Sequence, residues 1–297
     1  MSTKAILRDY GRRNKAEVVA HTIKHLSIVM LLALLTACDP ANTTVPTNPT
    51  SDGKVVVFAA SSLKDTFEGM EVGLRAGGLD KPEYNFAGSQ ALVTQLSQGA
   101  RADVFASADA RNMEAAITAG EIVTGTQRVL ATNRLVFVVP SGPNKVASAI
   151  KNLASPGVKL SLAEALVPVG NYSLQALDKL SADPAYGADF KQRILANVVT
   201  YENNVRQVLA KVQLGEVDGG IVYMTDARSP GGATPTNGKV DIIDIPEQYN
   251  VIARYYIAPT KDATNKASAE RFIEYVLSEE GQNILESYGF GPADQGK

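Results

Sequence analysis

Past position 38 this chain has no histidine and no cysteine: His21, His25 and Cys38 all lie in the first 38 of its 297 residues. Whatever folds beyond Cys38 has neither imidazole nor thiol, which excludes Ser-His-Asp and Cys-His catalysis and metal sites built on histidine or thiolate. Disulfides within the chain are excluded too. An excess of positive charge is also missing, with 29 Lys and Arg against 31 Asp and Glu, a net charge of -2. Six of those basic residues and only two of the acidic ones precede position 38, so the remainder carries -6. A mildly acidic body is a poor electrostatic partner for nucleic acid or anionic lipid. What is present is globular: 45% hydrophobic and 20% charged residues, in a chain long enough for two lobes.

The basic head runs through Lys4, Arg8, Arg12, Arg13, Lys15 and Lys24 and is followed by an apolar stretch from Leu26 to Leu35. That stretch is too short to span a bilayer as a stable helix and has the length of a signal-peptide core. It ends in Leu35-Thr36-Ala37-Cys38, which resembles the lipobox of bacterial lipoproteins. The resemblance implies a signal peptide over 1–37, a lipid on Cys38 and a membrane-anchored protein of the cell envelope. Residues 38–53, rich in Pro, Thr and Asn, read as a flexible tether to a folded body that begins near Lys54.

The body opens on Val55-Val56-Val57-Phe58-Ala59-Ala60, an unbroken apolar run stopped by Ser61-Ser62. Such a run predicts a parallel strand buried on both faces. Where it gives way to a helix over about 62–75, the first helical amides lack partners and carry the positive end of the dipole, so an anion is welcome there. The arrangement recurs. A strand at Tyr84-Asn85-Phe86-Ala87 ends in Gly88-Ser89-Gln90 and a helix through Leu92, Val93 and Leu96, and a third strand, 102–107, turns at Asp109 into a helix through Met113 and Ile117.

The apolar run 133–140 predicts a strand that crosses into a second lobe. There a strand at 159–162 leads to the turn Val167-Pro168-Val169-Gly170-Asn171-Tyr172 and a helix through Leu174, Leu177 and Leu180. Val205, Val208, Leu209 and Val212 recur at helical spacing after Glu202-Asn203-Asn204, good N-cap chemistry, and 219–224 is the next strand. A Gly-, Pro- and Thr-rich loop at about 229–238 precedes strands 240–245 and 251–258, the last returning to the first lobe, and two closing helices through Phe272 and Leu285. The expectation is an α/β clamshell with two crossing hinge strands, one lobe from 54–133 and 249–297, the other from 134–248.

Val57-Phe58-Ala59-Ala60-Ser61-Ser62-Leu63, Phe86-Ala87-Gly88-Ser89, the segment 99–109, Val167-Pro168-Val169-Gly170-Asn171-Tyr172 and Gly220-Ile221-Val222-Tyr223-Met224-Thr225-Asp226-Ala227 resemble the successive motifs of the periplasmic molybdate-binding proteins of ABC transporters. The resemblance implies the type II periplasmic-binding-protein fold and a monomer that performs no catalysis and needs no cofactor. It further implies that molybdate or tungstate is held between the lobes and passed to a transporter permease. It places the ligand donors on the hydroxyls of Ser62, Ser89 and Tyr223 and on the main-chain amides of Val169 and Val205. One segment departs from the pattern: where the family has an Asp-Pro pair before the Val-Pro turn, this chain has the shorter Ala163-Glu164-Ala165-Leu166. Chemistry agrees with the donor set, because a fully deprotonated dianion offers only acceptors and a buried carboxylate would repel it.

Each of these residues also has a plainer role. Serines at helix starts commonly cap them, Tyr223 would serve as an aromatic at the edge of a core, Val169 and Val205 pack by side chain, and Asp103 and Asp109 cap turns. Two other functions are weighed. A ferric-ion-binding protein would use Tyr255-Tyr256 as phenolate ligands, although neighbours on a strand point to opposite faces. A serine hydrolase would use Ser62 or Ser89 as nucleophile, but Gly88-Ser89-Gln90-Ala91 is not the Gly-x-Ser-x-Gly elbow and no histidine is there to act as base.

Overall fold

The structure is a computed structural model that describes residues 54–143, 146–228 and 238–293. The proposed signal peptide, Cys38, the tether and nearly all of the expected loop at 229–238 lie outside the described residues. In chain order the elements are β1 (Val56–Ala60), α1 (Lys64–Gly69), α2 (Glu71–Ala76), β2 (Glu83–Ala87), α3 (Ser89–Ser97), β3 (Val104–Ser107), α4 (Ala110–Thr118), β4 (Arg128–Asn133) and β5 (Leu135–Pro140). There follow β6 (Leu160–Ala163), α5 (Pro168–Ala182), α6 (Phe190–Ala196), β7 (Val198–Glu202), α7 (Val205–Gln213), β8 (Gly219–Tyr223), α8 (Met224–Ala227), β9 (Val240–Asp244), β10 (Ala253–Pro259), α9 (Lys266–Leu277) and α10 (Glu279–Ser287).

The strands make two sheets, and therefore two lobes, ordered β2-β1-β3-β10-β4 and β7-β6-β8-β5-β9. In each, three parallel strands lie beside an antiparallel strand that the chain delivers from the other lobe. β10 pairs antiparallel with β3 and β4, and β5 with β8 and β9. The crossings are Asn133-Arg134, between β4 and β5, and the stretch between Asp244 and Ala253.

Burial follows the strand period. Val57 and Ala59 of β1 join Leu63, Phe67, Leu74 and Phe272 on one face of the first sheet, while Phe58 turns to the other face with Leu92, Leu96, Phe105 and Met113. Both faces are thus covered, as the unbroken apolar run requires. In the second lobe, Val208, Leu209 and Val212 of α7 and Leu177 and Leu180 of α5 are buried, each at the helical spacing expected of a core-facing stripe.

Three details differ from the sequence reading. The single helix expected over 62–75 is a 3-10 turn, Ser61–Leu63, followed by α1 and α2 with a break at Met70. The run expected as one strand from 133 is the end of β4 and the whole of β5, divided at the crossing. The edge strand β7 was not foreseen, nor were α6 before it and the greater part of β4.

Candidate functional site

The carboxyl ends of the parallel strands from both lobes meet around one small cavity. Ser62, Ser89, Val169, Val205 and Tyr223 all line it, with Ala60, Ser61, Ala87, Gly88, Ala108, Val167 and Pro168 between them. No lining residue carries a charge.

Ser62 sits in the 3-10 turn after β1 and is 3% exposed. Its Oγ lies 2.9 Å from the Tyr255 hydroxyl. Ser89 is the first residue of α3, whose N-cap is Gly88 in extended backbone. Ser89 is 1% exposed, and its Oγ accepts the Ala108 N–H at 3.1 Å. Neither serine caps a helix with its side chain, so the commonest structural use of serine at such points is not what holds these two.

The second lobe supplies backbone. Val167 is the N-cap of α5, Pro168 its first residue and Val169 its second. Proline suits that first position, where the missing N–H costs nothing, and the Val169 amide belongs to the first turn, which has no acceptor within its own helix. A Cβ on Gly170 would collide with the Glu164 carbonyl oxygen, so the shortened segment before the turn packs directly under the helix start. Val205 opens α7 behind Asn204, whose side chain accepts the Gln207 N–H at 3.1 Å while Gln207 Oε1 accepts the Asn203 N–H at 3.0 Å. That reciprocal cap satisfies the third helical amide and leaves the first, that of Val205, for another acceptor.

Tyr223 ends β8 and is 1% exposed, with its ring edge-on to Tyr255 at 5.7 Å between centroids. Its hydroxyl is buried and has no hydrogen-bond partner among the described residues. Burial raises its pKa well above that of an ordinary phenol, with nearby Tyr255, Tyr172 and Asp109 adding to the effect, so the group keeps its proton. An orphaned buried hydroxyl is costly.

The lobes are clasped around the cavity. Arg206, next to Val205, pairs with Asp65 of α1 at 2.9 Å and with Asp226 of α8 at 2.7 Å. The guanidinium is therefore held by two carboxylates, one on each lobe. Arg111 Nη2 donates to the Leu166 carbonyl at 2.6 Å, and Gln90 Nε2 to the Asn203 carbonyl at 3.0 Å. Gly88 sits so close to that same carbonyl that any Cβ there would clash with it.

Sequence reasoning missed Tyr255 as a neighbour of Ser62, and the Arg206 clasp. The alternation of β10 was the available signal for Tyr255. Tyr255 is fully buried in the core shared by the two sheets, whereas Tyr256 packs on the opposite face beside the cluster of Phe58 and Phe105. The tandem thus does not present two phenols to one ion. The two aspartates bind backbone: Asp109 Oδ1 caps α4 by accepting the Asn112 N–H at 2.9 Å, and Asp103 accepts the amides of Val56, Thr264 and Asn265. The partner of Ser62 is a phenol and that of Ser89 an amide N–H, neither of which is a base.

A family model described as "Bacterial extracellular solute-binding protein" matches residues 55–291. The molybdate-binding protein ModA of Mycobacterium tuberculosis (strain ATCC 25618 / H37Rv) is 36% identical over 266 residues, 88% of this chain and 94% of that one. Among solved structures, the periplasmic molybdate-binding protein of Azotobacter vinelandii matches with a TM-score of 0.68 at 21% identity, over 80% of this chain and 99% of that one. The sulfate-binding protein SubI of Mycobacterium tuberculosis H37Rv matches with a TM-score of 0.69 at 16% identity, over 81% and 87%. At those identities the structural likeness speaks for the fold alone.

Proposed function

The chain belongs to the bacterial extracellular solute-binding protein family, and from that premise we propose that it captures molybdate, and tungstate with it, and delivers the ion to an ABC transporter. The observation that carries this reading is the buried Tyr223 hydroxyl, which has no partner among the described residues, in a small cavity lined without charged side chains. A group that can donate, stays protonated and lacks an acceptor calls for a ligand made of acceptors.

The donors proposed for the ion are the hydroxyls of Ser62, Ser89 and Tyr223 and the amides of Val169 and Val205. Ser89 accepts from the Ala108 amide, so its own proton is free to point at an anion. The starts of α3, α5 and α7 contribute roughly half a positive charge each, about 1.5 in all against the two negative charges of the ion, with no buried cation to desolvate. A singly protonated phosphate brings a hydrogen for which this donor set has no acceptor, so the site disfavours it. Molybdate and tungstate present the same charge and shape, and sulfate is discriminated by size.

The segments 54–133 with 249–297, and 134–248, act as the two jaws, and closing them on the ion forms the surface that a permease reads. The proposal extends to a monomer held at the membrane by a lipid on Cys38. Titration calorimetry on the body after Cys38 tests the ligand. Tight binding of molybdate and none of ferric ion is expected; sulfate, phosphate or iron binding in place of molybdate and tungstate sinks the reading.

A further inference from the structure

We infer that Tyr255, which does not line the cavity, is a positioning residue that fixes the direction of the Ser62 hydrogen bond so that Ser62 donates into the cavity; the inference rests on the oxyanion reading above. Asn133 is the last residue of β4, where the backbone crosses between the lobes. Asn133 Oδ1 accepts the N–H of Arg134 at 2.9 Å. A main-chain amide can only donate, so it settles which end of the Asn133 side chain is oxygen and turns the NH2 the other way.

That NH2 donates to Thr225 Oγ1 at 2.8 Å and, at a longer 3.5 Å, faces the Tyr255 hydroxyl. An amide NH2 accepts nothing, so the Tyr255 oxygen is the acceptor on that side and its proton goes elsewhere. Ser62 Oγ, 2.9 Å away, is its other partner, in a fully buried setting. Ser62 Oγ then accepts from the phenol, and its own proton is left for the cavity that Ser62 lines. The polarity of one ligand donor is thereby set by a backbone amide at the crossing, through two side chains. A site wired in this way demands an oxygen without a proton opposite Ser62, which is what a fully deprotonated oxyanion provides.

The test is a pair of double-mutant cycles read by molybdate titration. Tyr255→Phe removes the hydroxyl and keeps the ring that packs on Tyr223 and Phe290. It is expected to weaken molybdate binding about tenfold on its own. In a Ser62→Ala background the same substitution should change affinity hardly at all, while in a Ser89→Ala background it should cost its full tenfold. Equal losses in both backgrounds, or no loss in the wild-type background, overturn the role of Tyr255 while leaving the oxyanion reading standing. A wild-type protein that binds no molybdate overturns the oxyanion reading, and this inference with it.

Discussion

Ser89 is the clearest of the proposed ligand donors. It sits behind a glycine N-cap, almost fully buried, with its lone pair occupied by the Ala108 amide. Ser89→Ala should weaken molybdate binding by roughly 1 to 3 kcal/mol, the value of a hydrogen bond to a charged group, because the variant loses the donor and leaves the Ala108 amide without its acceptor. Calorimetry checks it, and an unchanged affinity removes Ser89 from the site. At this scale the sequence puts Ser62, Ser89 and Tyr223 at strand ends, and the structure brings all three to one cavity. Tyr255 was not legible as a partner of Ser62, 193 positions away, because only folding brings β10 beside the turn after β1. The donor roles proposed for Val169 and Val205 leave no trace in their side chains, and nothing short of helix starts at Pro168 and Val205 would expose those amides.

Among the elements, α7 links the cavity to both lobes. Val205 opens it, and the next residue, Arg206, ties α1 of one lobe to α8 of the other through Asp65 and Asp226. Asp226 is fully buried, and desolvation raises its pKa from 3.8 to about 6, although Arg206 pulls the other way. Its folded-state affinity for a proton exceeds that of the unfolded chain, so this group stabilises the fold fully below about pH 4. The contribution disappears as pH rises through about 6. Denaturant unfolding between pH 4 and 7 should show it as a downward slope in the wild type minus Asp226→Asn difference; a flat difference means the carboxyl titrates alike in both states. Elements with unbroken apolar runs or clear helical spacing, such as β1, β8 and α7, were readable in the sequence. The edge strand β7 was hidden because its pattern is inverted, with Val199 and Tyr201 59% and 51% exposed while Thr200 and Glu202 turn inward and hydrogen-bond each other at 2.8 Å.

For the molecule as a whole, two lobes with two crossings could be read from apolar runs that end one lobe and reopen the other. The order of strands within each sheet could not, since β10 beside β3 and β5 beside β8 are pairings between distant segments. The proposed lipid belongs to this scale, because it decides where the two lobes operate. Cys38→Ser should move the protein from the membrane fraction to the soluble fraction of the cell envelope, and continued membrane retention counts against the anchor. The neutral lining of the cavity and the acidic body around it also set how the protein responds to dissolved salt. Added electrolyte screens the repulsion between the approaching dianion and the body, which quickens arrival, whereas an ion gripped by buried dipoles is scarcely loosened. A trap built from lysines would lose its grip as the medium turned brackish, whereas the proposed site should keep its grip and fill faster.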